Sequence, residues 1–306
     1  MMMKRITGIS LCAAAMAWAA GVGAGADRPR PATASAPASA PARGGVRRDV
    51  EYARVGNKRL LLDLYLPART DKPVPVIVWI HGGGWQQGSK TRTPAAAVPA
   101  MGYAGVSINY RLSQEAVFPA QIHDCKAAIR WVRAHAKEYN FDADRIGVWG
   151  ASAGGHLVAL LGTGGGVKEL EGDVGGNKEY SSRVQAVCDW FGPTDFVPMA
   201  LLPGRVVTPV TALLGGPVKD NLDKARLASP VTHATKDDPP FLIMHGDKDT
   251  MVHASQSRRL HDVLQKAGVD STLKILEGAG HGGPAFTSPE TNKLIREFFD
   301  KHLKKR

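Results

Sequence analysis

Ser152 stands in Gly150-Ala151-Ser152-Ala153-Gly154, after the apolar run Ile146-Gly147-Val148-Trp149 and at the start of a helix-like stretch. At a strand-to-helix turn, flanking glycines permit the strained backbone that exposes a serine hydroxyl above a sheet. The helix N-terminus then favours negative charge developing beside it. The chemistry would be nucleophilic attack on a carbonyl. That needs three more parts: donors for the oxyanion, a base, and a carboxylate to orient the base. A small-residue packing turn would give the same pentapeptide, so the other parts decide.

The donors are available in His81-Gly82-Gly83-Gly84-Trp85, which follows the apolar run Val74–Ile80. Consecutive glycines let backbone N–H groups face one locus, and the expected donors are Gly83, Gly84 and Ala153. Trp85 reads equally as a wall of an acyl pocket or as packing. Of the ten histidines, His281 lies in Gly278-Ala279-Gly280-His281-Gly282-Gly283, between the last strand and the last helix. Such a loop can carry an imidazole over the sheet edge. The others read more simply. His135 and His261 fall within helices, His302 in the tail and His81 in the glycine loop. His156 is one helical turn past Ser152, and His123 and His253 read as solvated or packing residues. For the acid, Phe241–Met244 runs into His245-Gly246-Asp247-Lys248-Asp249. Either aspartate would lie just past the C-terminal end of a strand, where open α/β sheets bind ligands.

These residues require a scaffold that brings strand ends together. Val50–Val55 and Arg59–Leu66 read as antiparallel strands around a Gly56-Asn57 turn. Val74–Ile80 and Gly105–Tyr110 are short apolar runs, the pattern of strands buried on both faces. Ile122, Cys125, Ile129, Val132 and Ala136 recur at steps of three and four, one face of a helix. Arg145–Gly150, Val184–Trp190, Pro240–His245 and Thr272–Leu276 complete the strands, and Pro289–Leu303 closes the chain as a helix. This alternation predicts an α/β fold: a mostly parallel central sheet of about eight strands with helices on both faces. Residues 162–183 read as a surface loop. Gly162-x-Gly164 has Val167 where a dinucleotide fingerprint needs glycine. Residues 193–239, rich in Pro and Gly, read as a cap or variable insert over the active face, or as a long surface connection.

The chain has 306 residues, 43% hydrophobic and 22% charged, which excludes collagen-like, coiled-coil and fully disordered classes. Of a net charge of +11, Lys4, Arg5 and the arginine excess of 27–49 supply +5, leaving +6 over residues 50–306. With no nucleic-acid reading motif beside it, that excess predicts no nucleic-acid partner. Met1–Arg5, the Ala-rich apolar stretch that follows and Ala24-Gly25-Ala26 form the pattern of an export signal over 1–26. The expected localisation is therefore periplasmic or secreted, without stable membrane insertion after cleavage. Residues 27–45 (DRPRPATASAPASAPARGG) have no apolar periodicity and read as a disordered linker. The folded domain is expected over 46–306. Cys125 and Cys188 are either a disulfide or two buried thiols. No metal-ligand spacing appears, and the chemistry needs neither metal nor organic cofactor.

Taken together, the motifs make residues 50–306 resemble the α/β-hydrolase superfamily. More narrowly the chain resembles bacterial carboxylesterases of the hormone-sensitive-lipase type and their exported feruloyl and acetylxylan esterase relatives. The resemblance is carried by His81–Trp85, Asn109–Leu112 with Phe118-Pro119-Ala120, Gly150–Gly155, Asp189–Asp195, His245–Val252 and Gly280-His281-Gly282. It implies a serine carboxylic-ester hydrolase acting on small-molecule or polysaccharide-linked esters. It places the acid at the second aspartate, Asp249, giving the order Ser152, Asp249, His281. It also implies that Arg111 and Asp124 brace the oxyanion loop. Ser113-Gln114-Glu115 departs from the Ala-Pro-Glu of the lipase-like branch and favours the feruloyl/acetylxylan branch. An exported peptidase or amidase of the same fold and a non-catalytic envelope-binding protein are the alternatives.

Overall fold

The computed structural model describes residues 44–68, 71–199 and 207–304. Eight strands form one sheet: β1 (Gly45–Val55), β2 (Lys58–Leu66), β3 (Val74–Ile80), β4 (Ala104–Ile108), β5 (Phe141–Ala151), β6 (Ala186–Trp190), β7 (Phe241–Gly246) and β8 (Ser271–Leu276). Their order is β1-β2-β4-β3-β5-β6-β7-β8. The β1–β2 and β2–β4 pairs are antiparallel, and the remaining pairs are parallel. Among the described residues the α-helices are α1 (Ala120–Ala134), α2 (Ala136–Tyr139), α3 (Ala153–Thr163), α4 (Phe196–Met199), α5 (Val207–Leu214), α6 (Leu222–Ala228), α7 (Ser255–Lys266) and α8 (Pro289–Leu303). The mostly parallel sheet with helices on both faces is the expected architecture. Sequence position 45, read as linker, instead begins β1. The leader and residues 27–43 of the linker lie outside the described residues.

β3 shows why its sequence is apolar throughout. Val76, Val78 and Ile80 enter the core shared with α1, α3 and α7, while Ile77 and Trp79 enter the core under α8. Strand side chains alternate between faces, so a strand covered on both sides has no polar position to spare. Cys125 and Cys188 belong to these two different cores and are both free. The sheet between them excludes the disulfide. Beneath α8, Trp79, Trp149 and Trp190 pack edge to face with centroids 4.9–6.0 Å apart. That arrangement sets the positive edge of one indole against the negative face of another.

One hydrogen-bonded row crosses the sheet through Ile80, Gly150, Asp189 and Ile243. Strands in parallel register end together, so the segments after β3, β5, β6 and β7 leave at one edge. Those segments hold His81–Trp85, Ser152, Phe191 and Asp249.

Residues 193–239 are more than a surface connection. Phe196, Val210, Leu213, Leu214, Val218, Ala225 and Ala228 join the core on the α3 side. Pro209 of α5 lies close against Gly84 of the glycine loop, so the segment reaches the active edge. The loop 162–183 is also anchored. Buried Lys126 and Arg130 of α1 both pair with Glu171.

A buried ion pair ties the chain just after the glycine loop to the sheet. Lys90 Nζ lies 2.6 Å from Asp63 Oδ1 of β2 and 2.7 Å from Asp49 Oδ1. Lys90 N–H also donates to Asn109 Oδ1. Removing one partner of a buried pair strands the other charge. Lys90→Met is expected to cost about 3 kcal/mol in urea unfolding, and adding Asp63→Leu is expected to recover most of it.

Candidate active site

Ser152 has φ 56° and ψ −118°, a left-handed position that a residue with a Cβ adopts only under constraint. The constraint is close packing. A Cβ on Gly150 would come within 2.3 Å of Gly154 O, and one on Gly154 within 2.0 Å of Ile80 O. Neither contact is possible for a real side chain, so both glycines of the pentapeptide are required. Ser152 N–H donates to Trp190 O of β6 (2.8 Å). Ser152 occupies the N-cap position of α3, where serine normally bonds back to the helix. Here it makes no such bond. Its hydroxyl points instead to His281, with Oγ 2.8 Å from Nε2. The N–H of Ala153, the first residue of α3, is thereby left without a helical partner.

Asp249 Oδ2 lies 2.7 Å from His281 Nδ1. Its other oxygen accepts the N–H groups of Met251 (2.8 Å) and Val252 (2.9 Å). Burial works against charge on Asp249. The hydrogen bonds from His245, His281 and the Val252 N–H outweigh it and hold the carboxyl far below the usual range. With Asp249 ionised, the proton of His281 sits on Nδ1, and Nε2 is free to accept from Ser152. That is the arrangement a serine nucleophile needs. Asp247, the other aspartate of the run, is exposed and accepts the Gly278 N–H at 2.7 Å. It ties down the loop that carries His281.

The glycine loop lies against this pair. A Cβ on Gly82 would meet Ala151 O at 2.7 Å and Ser152 Cβ at 3.3 Å. Gly83 and Gly84 have φ of 108° and 61°, values open to glycine. Among the described residues no acceptor takes either N–H. Gly83 O closes the turn by accepting from Gln86 and Gln87. Arg111 forms a two-pronged bond to Asp124 at 2.7–3.1 Å. From the segment so fixed, Ser113 N–H donates to Trp85 O and Gln114 Nε2 to Gln86 O. This is the physical form of the expected brace.

Trp85 packs. It is 2% exposed and donates from Nε1 to His156 Nδ1 at 3.2 Å. His156 Nε2–H donates to Ala228 O at 2.7 Å, which fixes the neutral tautomer. Burial lowers its pKa to about 4. The Trp85 indole packs edge to face against His156 and Phe196, which is the packing role of the two that spacing allowed. Two neighbours of the site were not singled out by spacing. His245 Nε2 lies 3.2 Å from Asp249 Oδ2 and 2.7 Å from Val252 O, and Nδ1 lies 2.7 Å from Ser257 Oγ. Phe191 packs its ring 4.6 Å from that of His281. The His-Gly-Asp-x-Asp run carried the signal for His245. Nothing in the spacing marks Phe191.

Asp189 lies under the turn at the end of β6. It is wholly buried. Oδ1 accepts the Gly192 N–H at 2.9 Å, and Oδ2 has no hydrogen-bond partner among the described residues. Burial raises its carboxyl to about 6, against the opposing effects of the Gly192 N–H and His245. A carboxyl whose folded-state pKa is raised binds its proton more tightly when folded. Stability is then lost as pH rises from about 4 to about 6. Asp189→Asn removes that titration and keeps an acceptor for Gly192. In urea unfolding from pH 4 to pH 7 the variant should gain on the wild type by up to roughly 3 kcal/mol. Parallel profiles would contradict the assignment.

Comparison with known proteins agrees with this fold. Residues 62–264 match the BD-FAE family. Esterase LipC of Mycobacterium tuberculosis is 34% identical over 220 residues, 69% of this chain and 53% of LipC. The chain spans about half the length of the curated relatives it matches. Among solved structures, a truncated carbohydrate esterase from gut microbiota is 36% identical with a TM-score of 0.79, covering 87% of this chain and all of that one. Esterase Est2 of Thermogutta terrifontis is 28% identical with a TM-score of 0.70, covering 84% of this chain and 92% of Est2. With the match spanning most of the sheet and the segments at its active edge, the chain belongs to the BD-FAE family of α/β-hydrolase esterases.

Proposed function

We propose that the protein is a serine carboxylic-ester hydrolase working through an acyl-enzyme. The observation that carries this reading is the continuous relay from Ser152 Oγ through His281 to Asp249, at 2.8 and 2.7 Å. Ser152 Oγ attacks the ester carbonyl carbon while His281 Nε2 takes its proton. The carbonyl oxygen becomes an oxyanion held by the N–H groups of Gly83, Gly84 and Ala153. Collapse expels the alcohol, which takes the proton from His281. Water then attacks the acyl carbon and passes its proton to His281. The acid leaves, and the proton returns to Ser152. Asp249 holds the Nδ1–H throughout and favours the imidazolium.

For the substrate we propose short-chain or aryl esters, such as acetyl or feruloyl groups of plant polysaccharide. Two features support this: similarity to a gut carbohydrate esterase, and the Ser113-Gln114-Glu115 departure from the lipase-like pattern. Export, through cleavage of residues 1–26, is the matching proposal for where such polymers are met. Its support is the charge and apolar pattern of those residues.

The test is hydrolysis of p-nitrophenyl acetate and methyl ferulate by residues 27–306. Ser152→Ala is expected to lower kcat by at least about 10³-fold. Asp249→Asn should cost about 10³–10⁴-fold, and Asp247→Asn less than about tenfold. A Ser152→Ala protein that kept most of its turnover would refute the mechanism. Cleavage of acetate without ferulate would narrow the substrate to short acyl groups.

A further inference from the structure

We propose that Phe191 is a positioning residue for His281, fixing the plane in which the imidazole hands protons on. The inference rests on the serine-esterase reading above. The two hydrogen bonds of His281, to Asp249 from Nδ1 and to Ser152 from Nε2, lie at opposite ends of the ring. They fix a line through the imidazole and leave rotation about that line open. The backbone bonds of this loop, at Gly278, Ala279 and between Gly280 and Gly282, place His281 without touching its ring. His281 stands between Gly280 and Gly282, in a loop where Gly278, Gly282 and Gly283 have φ of 72°, 98° and 99°. A contact on the face of the ring is therefore needed, and Phe191 provides one at 4.6 Å with the planes at 58°.

Phe191 is itself held from behind. Phe286 packs edge to face on it at 4.7 Å, and Trp190 packs on Phe286 at 5.4 Å. Its ring is buried, and its tip approaches Gly282, where a Cβ would come 3.7 Å from Cζ.

The backbone of Phe191 is strained to make the contact. Its φ is 44°, a left-handed value unusual for a bulky residue with no polar side chain to compensate. Such strain persists where the surroundings enforce it, and it concentrates at functional sites. Three bonds enforce it here. Phe191 N–H donates to Met244 O, the following Gly192 N–H donates to buried Asp189, and the preceding Trp190 O accepts the Ser152 N–H. One turn at the end of β6 thus holds both partners of the proton transfer. It holds the nucleophile through a backbone carbonyl and the base through an aromatic ring.

The experiment compares Phe191→Ala, Phe191→Gly and Phe191→Leu with Phe299→Leu, a control in the core under α8 and away from the site. Readouts are kcat and KM for p-nitrophenyl acetate and the melting temperature. Misplacement of a reacting group by about 1 Å costs on the order of 10²-fold. Alanine and glycine at 191 are therefore expected to lower kcat by about tenfold or more, with KM within about threefold. Glycine relieves the backbone strain, so it should match alanine in kcat while melting higher. Leucine, which refills the space beside the imidazole, should recover part of kcat. Phe299→Leu should lower the melting temperature and leave kcat within about twofold. A Phe191→Ala or Phe191→Gly enzyme with wild-type kcat would overturn the proposal. So would a kcat loss in Phe299→Leu equal to that in Phe191→Ala. Ser152→Ala in the same assay tests the esterase reading separately, because its inactivity does not depend on Phe191.

Discussion

Asp249 must carry a charge where its side chain has no contact with water. Much of the surrounding structure answers that requirement. A buried carboxylate is tolerated only when donors replace the lost hydration. Two donors are backbone N–H groups of the turn that follows β7, and two are imidazoles approaching the same oxygen. The turn can supply N–H groups only if β7 stops at Gly246. A Cβ there would lie 2.2 Å from Ala279 O. The same glycine therefore ends the strand and lets the His281 loop descend onto it. His245, the penultimate residue of β7, is pinned by Val252 O and Ser257, so it serves the carboxylate from a fixed place.

The opposite side of the relay is governed by close approach of backbones. α3 has to sit near enough to β3 and β5 for Ser152 to stand at the helix end with its hydroxyl facing away from the helix. Gly150 and Gly154 allow that spacing, and Gly155 and Gly192 repeat it against β6. A Cβ on either would press within 2.7 Å of Asp189 Oδ1. Side chains absent at these points leave room for Asp189. Its Oδ1 holds the turn that carries Phe191. The buried carboxyl is costly in its own right, with Oδ2 unpaired, and its place is at the base of the strained turn. Stability given up beneath a site that needs fixed geometry is a familiar exchange.

Much of this was legible in sequence because it is local. β3 and β4 are short apolar runs, α1 and α8 have a clear apolar stripe, and each chemical residue follows a strand beside glycines. The pentapeptide after a strand marked Ser152, and the glycine loop between the last strand and the last helix marked His281. Choosing Asp249 over Asp247 was different. Spacing left both open, and only the resemblance chose. The structure supplies the physical distinction: Asp249 is buried against the imidazole, while Asp247 is exposed and bonds the Gly278 N–H. The unread features are tertiary. The packing of Trp85 on His156, seventy-one positions along the chain, has no local signal. The apolar clusters within 193–239 read either as a cap or as a surface connection because their period is broken by Pro and Gly. Their burial against α3 is set by the neighbours. Lys126 and Arg130 of α1 are buried, which the stripe did not show, and Glu171 accounts for both.

Phe191 shows where local reading ends. Aromatic residues after a strand are common, and nothing in Asp189-Trp190-Phe191-Gly192 announces a left-handed phenylalanine. Propensity opposes it, since a bulky side chain disfavours positive φ. Only long-range bonds override that preference: Met244 O on β7, Ser152 N–H on the elbow, and the glycine at 282 that accepts the ring tip. Local and tertiary preferences conflict at this turn, as they do at Trp85 and Ser152, while agreeing across most of the sheet. In a sequence otherwise consistent from level to level, such a conflict is most simply explained by a task the residue performs. The imidazole at 4.6 Å identifies that task. Ser152, the other non-glycine residue of positive φ at the active edge whose side chain meets His281, obeys the same logic. Two strained residues thus grip the imidazole from outside the acid: one hydrogen-bonds to its Nε2, and the other packs on its ring.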